Sequence, residues 1–219
     1  MRASRSLLVA FLLASPVLSA APKKAPPARP PPLTYQELKR ADLNRLAVEL
    51  ALPLFWRDDA DSDGTVDADE VAHLWGVDET SWSDFVNAGK FTPKFDEAFR
   101  ALVALKNTGH AQGSDEPEAR RRAAVLKELS QGRPTLVLSD FTLASEGDRA
   151  LVAKMLEVAS MIERLHLKQR GALALVDAVR KAEPASRSLF QRNQGPWCAA
   201  PATENDPDCS ALPNKPARV

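Results

Sequence analysis

The sequence predicts a mainly α-helical protein, and two observations carry that prediction. Apolar residues recur every three to four positions in several segments, which is the repeat of one helix face, and most of the 17 prolines lie near the two ends of the chain. Proline cannot continue a helix or a central strand. We therefore expect a small helical domain over residues 34–183, with disordered Pro-rich segments on either side.

The first helices are predicted from local start and stop signals. Thr34 begins one of them, since Glu37 three residues later completes a capping box, and Pro53 kinks or restarts it. Apolar residues over 71–75 fit one face of a second, short helix, which Gly76 ends.

Three further elements follow along the chain. Thr92 and Pro93 predict a helix start, because a hydroxyl cap is followed by proline at the first helical position. Residues 118–129 form another predicted helix, which ends before Gly132. Residues 135–138 are the one plausible strand, too short to define a sheet.

The longest predicted helix begins at Ser145 and runs to about Arg170. Its apolar residues keep helical spacing, so we expect them to form a buried stripe against the rest of the domain. The residues of this stripe are Leu151, Met155, Val158, Ile162 and Leu165.

The first residues indicate export. Residues 1–21 have a basic start, a short apolar run over 7–13 and small residues at the end, as a secretory signal peptide does. Residues 22–33 follow as a Pro-rich linker. The apolar run is too short to span a bilayer, so we predict a secreted or periplasmic protein with no stable membrane insertion after cleavage. The alternative is an uncleaved anchor.

The C-terminal residues 184–219 are predicted to be a Pro-rich tail. Cys198 and Cys209 are the two cysteines of the chain, and an oxidising compartment allows them to form a disulfide. The alternative is a pair of free thiols.

An acidic run of twelve residues, 59–70, carries the clearest chemical signal. It reads DADSDGTVDADE and matches the spacing D-x-[DN]-x-[DN]-G-x5-E at every defined position. Ca²⁺ takes six to eight oxygen ligands at roughly 2.4 Å, and alternate side chains of such a run can turn towards one point. Gly64 supplies the sharp turn. The predicted ligands are Asp59, Asp61, Asp63, Thr65 through its carbonyl, Asp67 and Glu70.

With this spacing, residues 42–75 resemble the EF-hand calcium-binding family. The resemblance implies a helix–loop–helix, a bidentate Glu70 donated by the exiting helix, and a Val66 that pairs with a second loop. Residues 84–95, with Gly89 at the turn position, are a candidate for a non-binding partner loop. Otherwise the site is a single hand braced by neighbouring residues. The predicted brace residues are Phe55, Trp56 and Trp75.

Composition and missing motifs argue against several function classes. Basic and acidic residues number 29 each, so no bulk attraction to nucleic acid is implied. The sequence has no nucleophile elbow, phosphate loop or HExxH zinc helix. We therefore predict that the protein is not an enzyme. The alternative is an enzyme whose site the sequence does not reveal. For the acidic run, the alternative is a solvated turn that binds no ion.

Three short segments resemble the front region of exported bacterial proteins similar to dipeptidyl peptidase III. They are LPLFW at 52–56, FQRNQGPWC at 190–198 and CSALP at 209–213. The zinc-binding helix that such peptidases need is absent from the sequence. The resemblance therefore implies a non-catalytic accessory or truncated region, without peptidase activity of its own.

The function expected from the sequence is binding of one Ca²⁺ ion by an exported protein. Extracellular Ca²⁺ modules bind at roughly 10⁻⁴ to 10⁻³ M, which favours an ion that stabilises the fold over a signalling switch. Another protein of the cell envelope is a possible partner.

Overall fold

Helices dominate the computed structural model, which describes residues 32–74, 80–110, 116–214 and 216–217. The fold class predicted from the sequence is confirmed in its coarse form, mainly α. The predicted signal peptide, most of the linker, and Trp75 and Gly76 lie outside the described residues. In chain order the elements are α1 (Arg40–Glu49), β1 (Leu54–Trp56), β2 (Val71–His73), α2 (Trp82–Phe85), β3 (Val86–Asn87), β4 (Lys90–Phe91), α3 (Pro93–Thr108), α4 (Pro117–Ser130), α5 (Glu146–Gln169), a 3-10 turn (Leu173–Leu175), α6 (Val176–Arg180) and α7 (Pro184–Asn193).

Helices with strong local caps begin where the sequence predicts. The Thr92 hydroxyl accepts a hydrogen bond from the Phe95 amide at 3.4 Å, and α3 starts at the following proline. Ser145 and Asp148 form a reciprocal capping box at the start of α5. Helix α4 also agrees with its prediction to within one residue at each end. The starts of α3 and α5 are set by groups within one turn of each other, so no distant contact is needed to place them.

The predicted helix start at Thr34 is wrong. The Thr34 hydroxyl bonds the Glu37 carboxylate at 3.1 Å rather than a backbone amide, and α1 begins at Arg40. Between them, Tyr35 has φ +58°, a left-handed conformation that a right-handed helix excludes. Its ring packs among Phe91, Phe95 and Phe99 of the core, and this tertiary contact overrides the local capping signal.

The short helix predicted after the acidic run is also wrong over the described part of 71–75. Residues 71–73 form β2, which pairs antiparallel with β1 in the register Leu54 to His73 and Trp56 to Val71. Pairing with a distant strand satisfies the backbone groups that a helix would satisfy locally. The strand predicted at 135–138 does not form either, and the described residues offer it no strand partner.

Two hydrophobic clusters hold the described fold together. The N-terminal core combines α1, the β1–β2 pair and α3, and the C-terminal core combines α4, α6, α7 and the residues after α7. The N-terminal core consists of Leu38, Leu43, Leu46, Ala47, Leu54, Trp56, Val66, Val71, Phe85, Phe95, Ala98, Phe99 and Leu102.

Residues 184–214 are folded, so the disordered tail predicted there is wrong. Leu189 and Phe190 of α7 and Trp197 beyond it are buried in the C-terminal core. The predicted disulfide between Cys198 and Cys209 is confirmed, and both cysteines are buried. The prolines of this segment therefore lie at the start of α7 and in the turns after it. Buried apolar side chains and the disulfide keep these turns ordered.

The stripe predicted to be buried on α5 is exposed. None of the residues of this helix is buried, and each of the five stripe residues is at least 46 % exposed. Helical periodicity identifies an apolar face, but the described part of this chain provides no surface that covers it.

No helix among the described residues combines the length and the apolar character needed to cross a membrane.

Candidate metal centre

The acidic run forms the connection between two paired strands. Trp56 and Val71 end the β1–β2 pairing, and the Arg57 amide extends the ladder by donating to the Glu70 carbonyl at 2.9 Å. The chain therefore enters and leaves the loop through strands. Two strands flank the loop in place of the two helices that the EF-hand resemblance implies, although α1 lies just before β1.

Three of the predicted ligands lie together. Carboxylate oxygens of Asp59, Asp61 and Asp63 are within 4.8 Å of one another. The Asp59 carboxylate accepts from the Gly64 amide at 3.2 Å, Asp61 from the Asp63 amide at 3.2 Å, and Asp63 from the Thr65 amide at 2.6 Å. These bonds curl the backbone around the carboxylates and leave further oxygen lone pairs free.

Gly64 makes the turn that brings the aspartates together. Its φ of +76° lies in the left-handed region, which glycine adopts without steric cost. A Cβ at this position would meet no atom within 4 Å, so the need for glycine is one of backbone conformation and not of space.

Glu70 lies apart from this group and faces the core. It is 3 % exposed. Its Oε1 accepts from the Ala60 amide at 2.5 Å, while Oε2 accepts from the Trp56 indole N–H at 3.0 Å and the Asp67 amide at 3.3 Å. Trp56, predicted to brace the loop, does so through this indole. Glu70 thus ties the beginning and the end of the loop to the N-terminal core.

Asp67 and Thr65, the remaining predicted ligands, are half-buried and outside the close group of three aspartates. Burial raises the pKa of Asp67, and the neighbouring carboxylates of Asp63, Asp61, Glu70 and Asp69 raise it further. The loop is therefore a concentration of negative charge that a cation would relieve. All side-chain donors are hard oxygens, which suit Ca²⁺.

The EF-hand resemblance implies that Val66 pairs with a second loop, but the backbone of Val66 pairs with Tyr35 instead. Its amide donates to the Tyr35 carbonyl at 3.3 Å, and its side chain is fully buried. Residues 84–95 instead span the end of α2, the β3–β4 hairpin and the start of α3, and this hairpin is a separate sheet from β1–β2. Phe91 of the hairpin packs against Tyr35, with the two ring centroids 5.0 Å apart.

Polar residues outside the motif also position the loop, and sequence reasoning missed them. The Asn44 side chain of α1 pairs with the Trp56 backbone in both directions, at 2.7 and 2.9 Å. Arg40 donates to the Arg57 carbonyl at 2.5 Å, and Arg57 in turn bonds the carbonyl of Asp69. No local pattern marks these residues, because each acts on a backbone group at least twelve positions away.

The segments that resemble dipeptidyl peptidase III-like proteins are structural here. Residues 52–56 supply β1, and residues 190–198 and 209–213 meet at the disulfide and at a bridge between Trp197 and Ser210. The resemblance itself stays a prediction.

Comparison with known proteins finds no matching family model, no matching curated protein and no matching solved structure.

Proposed function

We propose that this chain is an exported protein that binds one Ca²⁺ ion in the loop 59–70, and that the ion stabilises the fold. The observation that carries the proposal is the approach of the Asp59, Asp61 and Asp63 carboxylates to within 4.8 Å of one another. Three negative charges at this separation repel each other unless a cation lies between them.

The donor set favours Ca²⁺ over other divalent ions. Zn²⁺, Cu²⁺ and Ni²⁺ favour imidazole or thiolate ligands, whereas the loop offers carboxylates and backbone carbonyls. Mg²⁺ demands a tight octahedron at 2.0–2.1 Å, while Ca²⁺ accepts a larger and more irregular shell. An acidic loop closed by a glycine turn suits Ca²⁺ better.

A structural role follows from the way the loop is attached. Glu70 bonds the loop to the Trp56 indole, and Trp56 is part of the N-terminal core. An ion that holds the loop closed therefore also holds the ends of β1 and β2 together. The buried disulfide, which requires an oxidising environment to form, supports export to a compartment where Ca²⁺ is steadily available.

Two matched variants test the binding site. Asp59→Asn and Asp69→Asn each remove one negative charge from the loop, but only Asp59 is at a ligand position, and it is the position at which the motif requires aspartate. Isothermal titration calorimetry should show one Ca²⁺ per chain, a loss of about tenfold or more in affinity for Asp59→Asn, and a much smaller loss for Asp69→Asn. Equal losses of affinity in the two variants would mean that binding depends on the net charge of the loop and not on the ligand position. If the unchanged protein gave no heat of Ca²⁺ binding, the proposal would be refuted.

A thermal melt tests the structural role. With a dissociation constant of about 10⁻⁴ M, about 10 mM Ca²⁺ should add about 2.7 kcal/mol to the free energy of unfolding. For a domain of this size that corresponds to a rise of roughly 5–10 °C in the melting temperature. Asp59→Asn should lose most of this rise. Calcium binding by calorimetry without any rise would refute the stabilising role alone.

A further inference from the structure

A cavity of about 700 Å³ lies beside the loop 59–70, where the start of α1 meets the beginning of the loop. Its volume is within the range of about 300–1,000 Å³ that is typical of small-molecule sites. Two of its lining residues, Leu38 and Trp56, are buried in the N-terminal core, so they form its inner wall. The other lining residues are polar, apart from Gly64 of the loop. Proteins bind small molecules in concave sites of this kind, which combine apolar surface with a few polar groups.

The α1 side of the cavity is positively charged. Lys39 and Arg40 line it at the start of this helix. Among the described residues the Lys39 ammonium has no hydrogen-bond or ion-pair partner. Arg40 uses one guanidinium nitrogen for the Arg57 carbonyl and keeps further N–H donors. No side chain caps α1, whose first amides add partial positive charge. This side therefore suits an anionic group such as a carboxylate.

Two further polar side chains of the lining are available to a ligand. Within the described part of the chain, neither the Asp58 carboxylate nor the Gln36 amide has a partner. A carboxylate only accepts hydrogen bonds, whereas an amide both donates and accepts them. Hydroxyl groups satisfy both, because a hydroxyl can donate to Asp58 and accept from Gln36. The lining thus fits a molecule that carries a carboxylate together with hydroxyl groups.

An ion held in the loop would border this cavity, because Asp59 and Gly64 belong to both. Ca²⁺ takes six to eight oxygen ligands. The three aspartates that lie together, with one oxygen each, and the Thr65 carbonyl supply four of them. The Glu70 carboxylate is bonded to the Trp56 indole and to two loop amides instead. At least two positions are therefore left for the oxygen atoms of a second molecule.

We propose that the cavity binds a small hydroxylated carboxylate, such as a sugar acid, whose carboxylate bridges the Ca²⁺ ion and the Lys39 ammonium. This inference rests on the proposed function, because the bridge needs the ion. The two cations share one anionic group, so each strengthens the hold of the other on it. The acid and the ion therefore raise each other's affinity by the same factor, as thermodynamic linkage requires.

Isothermal titration calorimetry with galacturonate tests the proposal on the purified protein. Galactose, in which a hydroxymethyl group replaces the carboxylate, is the matched ligand. In about 10 mM Ca²⁺, which exceeds a dissociation constant of about 10⁻⁴ to 10⁻³ M, we expect galacturonate to bind and galactose not to bind. Without Ca²⁺ the affinity for galacturonate should fall about tenfold or more. In the reverse titration, galacturonate should raise the affinity for Ca²⁺ by the same factor. A titration without protein corrects for direct association of galacturonate with Ca²⁺.

Two lysine variants test the bridge. Lys39→Gln should lower the affinity for galacturonate about tenfold, because it removes a charged hydrogen-bond donor. It should not weaken the binding of Ca²⁺ alone, since Lys39 is not one of the predicted ligands. Lys181→Gln is the matched control, because Lys181 is exposed at the end of α6 and does not line the cavity. This control should bind galacturonate as the unchanged protein does.

Failure of this proposal and failure of the proposed function give different results. If Ca²⁺ bound but galacturonate did not bind the Ca²⁺-loaded protein, the cavity proposal would be overturned and calcium binding would stand. Equal affinities for galacturonate with and without Ca²⁺, equal affinities for galacturonate and galactose, or equal losses in the two lysine variants would each overturn the bridge as well. If Ca²⁺ itself gave no heat of binding, both proposals would be overturned.

Discussion

The substitution Glu128→Gln should destabilise the protein at neutral pH and much less in acid. Glu128 of α4 is fully buried, and its carboxylate accepts hydrogen bonds from five residues of the C-terminal segment. The donors are the Arg192 guanidinium at 2.7 Å, the Asn193 amide at 2.8 Å, the Ala199 and Ala200 backbone amides at 3.1 Å and the Thr203 hydroxyl.

The pKa of this carboxyl sets the size of the effect. Burial by itself would raise the pKa of Glu128, but the hydrogen bonds from Thr203, Asn193 and the two backbone amides outweigh burial and lower the pKa from 4.5 to about 2. A group whose pKa falls on folding stabilises the folded state fully above its unfolded pKa and progressively less as the pH drops to the folded one. The difference corresponds to about 3 kcal/mol, at 1.36 kcal/mol per pKa unit.

Urea unfolding at a series of pH values measures this contribution of Glu128 to the free energy of unfolding. We expect Glu128→Gln to lower the free energy of unfolding by about 3 kcal/mol at pH 7, since a neutral amide cannot match a carboxylate that accepts five donors. The difference should shrink between about pH 4.5 and pH 2. Glu157→Gln is the control, because Glu157 pairs with Lys154 on the exposed α5, and the substitution should cost less than about 0.5 kcal/mol.

A constant difference from pH 7 to pH 3 would refute this reasoning. It would mean that Glu128 contributes through its volume in the core and not through its charge. A cost at pH 7 as small as that of the surface control would contradict the hydrogen-bond network itself.

Three further outcomes are expected. Gly64→Ala should lower stability by about 1–2 kcal/mol in urea unfolding, because alanine resists the left-handed φ of +76°. Replacing Cys198 and Cys209 together by serine should cost about 2–5 kcal/mol in the same assay, since it removes a buried disulfide. Tyr35 is the single tyrosine of the chain, so ultraviolet titration should show its ionisation at a pKa of about 12, raised by burial and then by its hydrogen bond to Asp96.

Sequence reasoning succeeds in this chain where the signal is local. The start of α3 at Pro93 and the capping box at Ser145 depend on groups three residues apart. The curl of the acidic loop likewise depends on bonds between residues two to five positions apart. Such features form wherever no tertiary contact overrides them, as the packing of Tyr35 overrides the capping signal at Thr34, so a pattern of residue types predicts them.

Sequence reasoning fails where a residue far away in the sequence determines the structure of a segment. Residues 71–73 become a strand because β1 supplies their hydrogen bonds, and Tyr35 leaves the helical region because its ring enters the core. The segment 184–214 is ordered by α4, whose Glu128 lies more than sixty residues before the amides that it binds. Periodicity correctly identifies the apolar face of α5 but contains no information on what covers it.

The position of Glu70 bears on the affinity that the calcium proposal requires. In the family that the loop resembles, this residue is implied to give both oxygens to the ion. Here Oε1 accepts one amide, and Oε2 accepts an indole and a second amide, so three of roughly four lone-pair sites are occupied. A bidentate grip must first break bonds to the core, and their loss subtracts from the binding free energy. Only the ligands on the solvent side, Asp59, Asp61 and Asp63, act without this cost. We therefore expect the proposed Ca²⁺ binding to be weak, near 10⁻⁴ to 10⁻³ M, which a stabilising ion in a calcium-rich compartment tolerates and a cytosolic sensor does not.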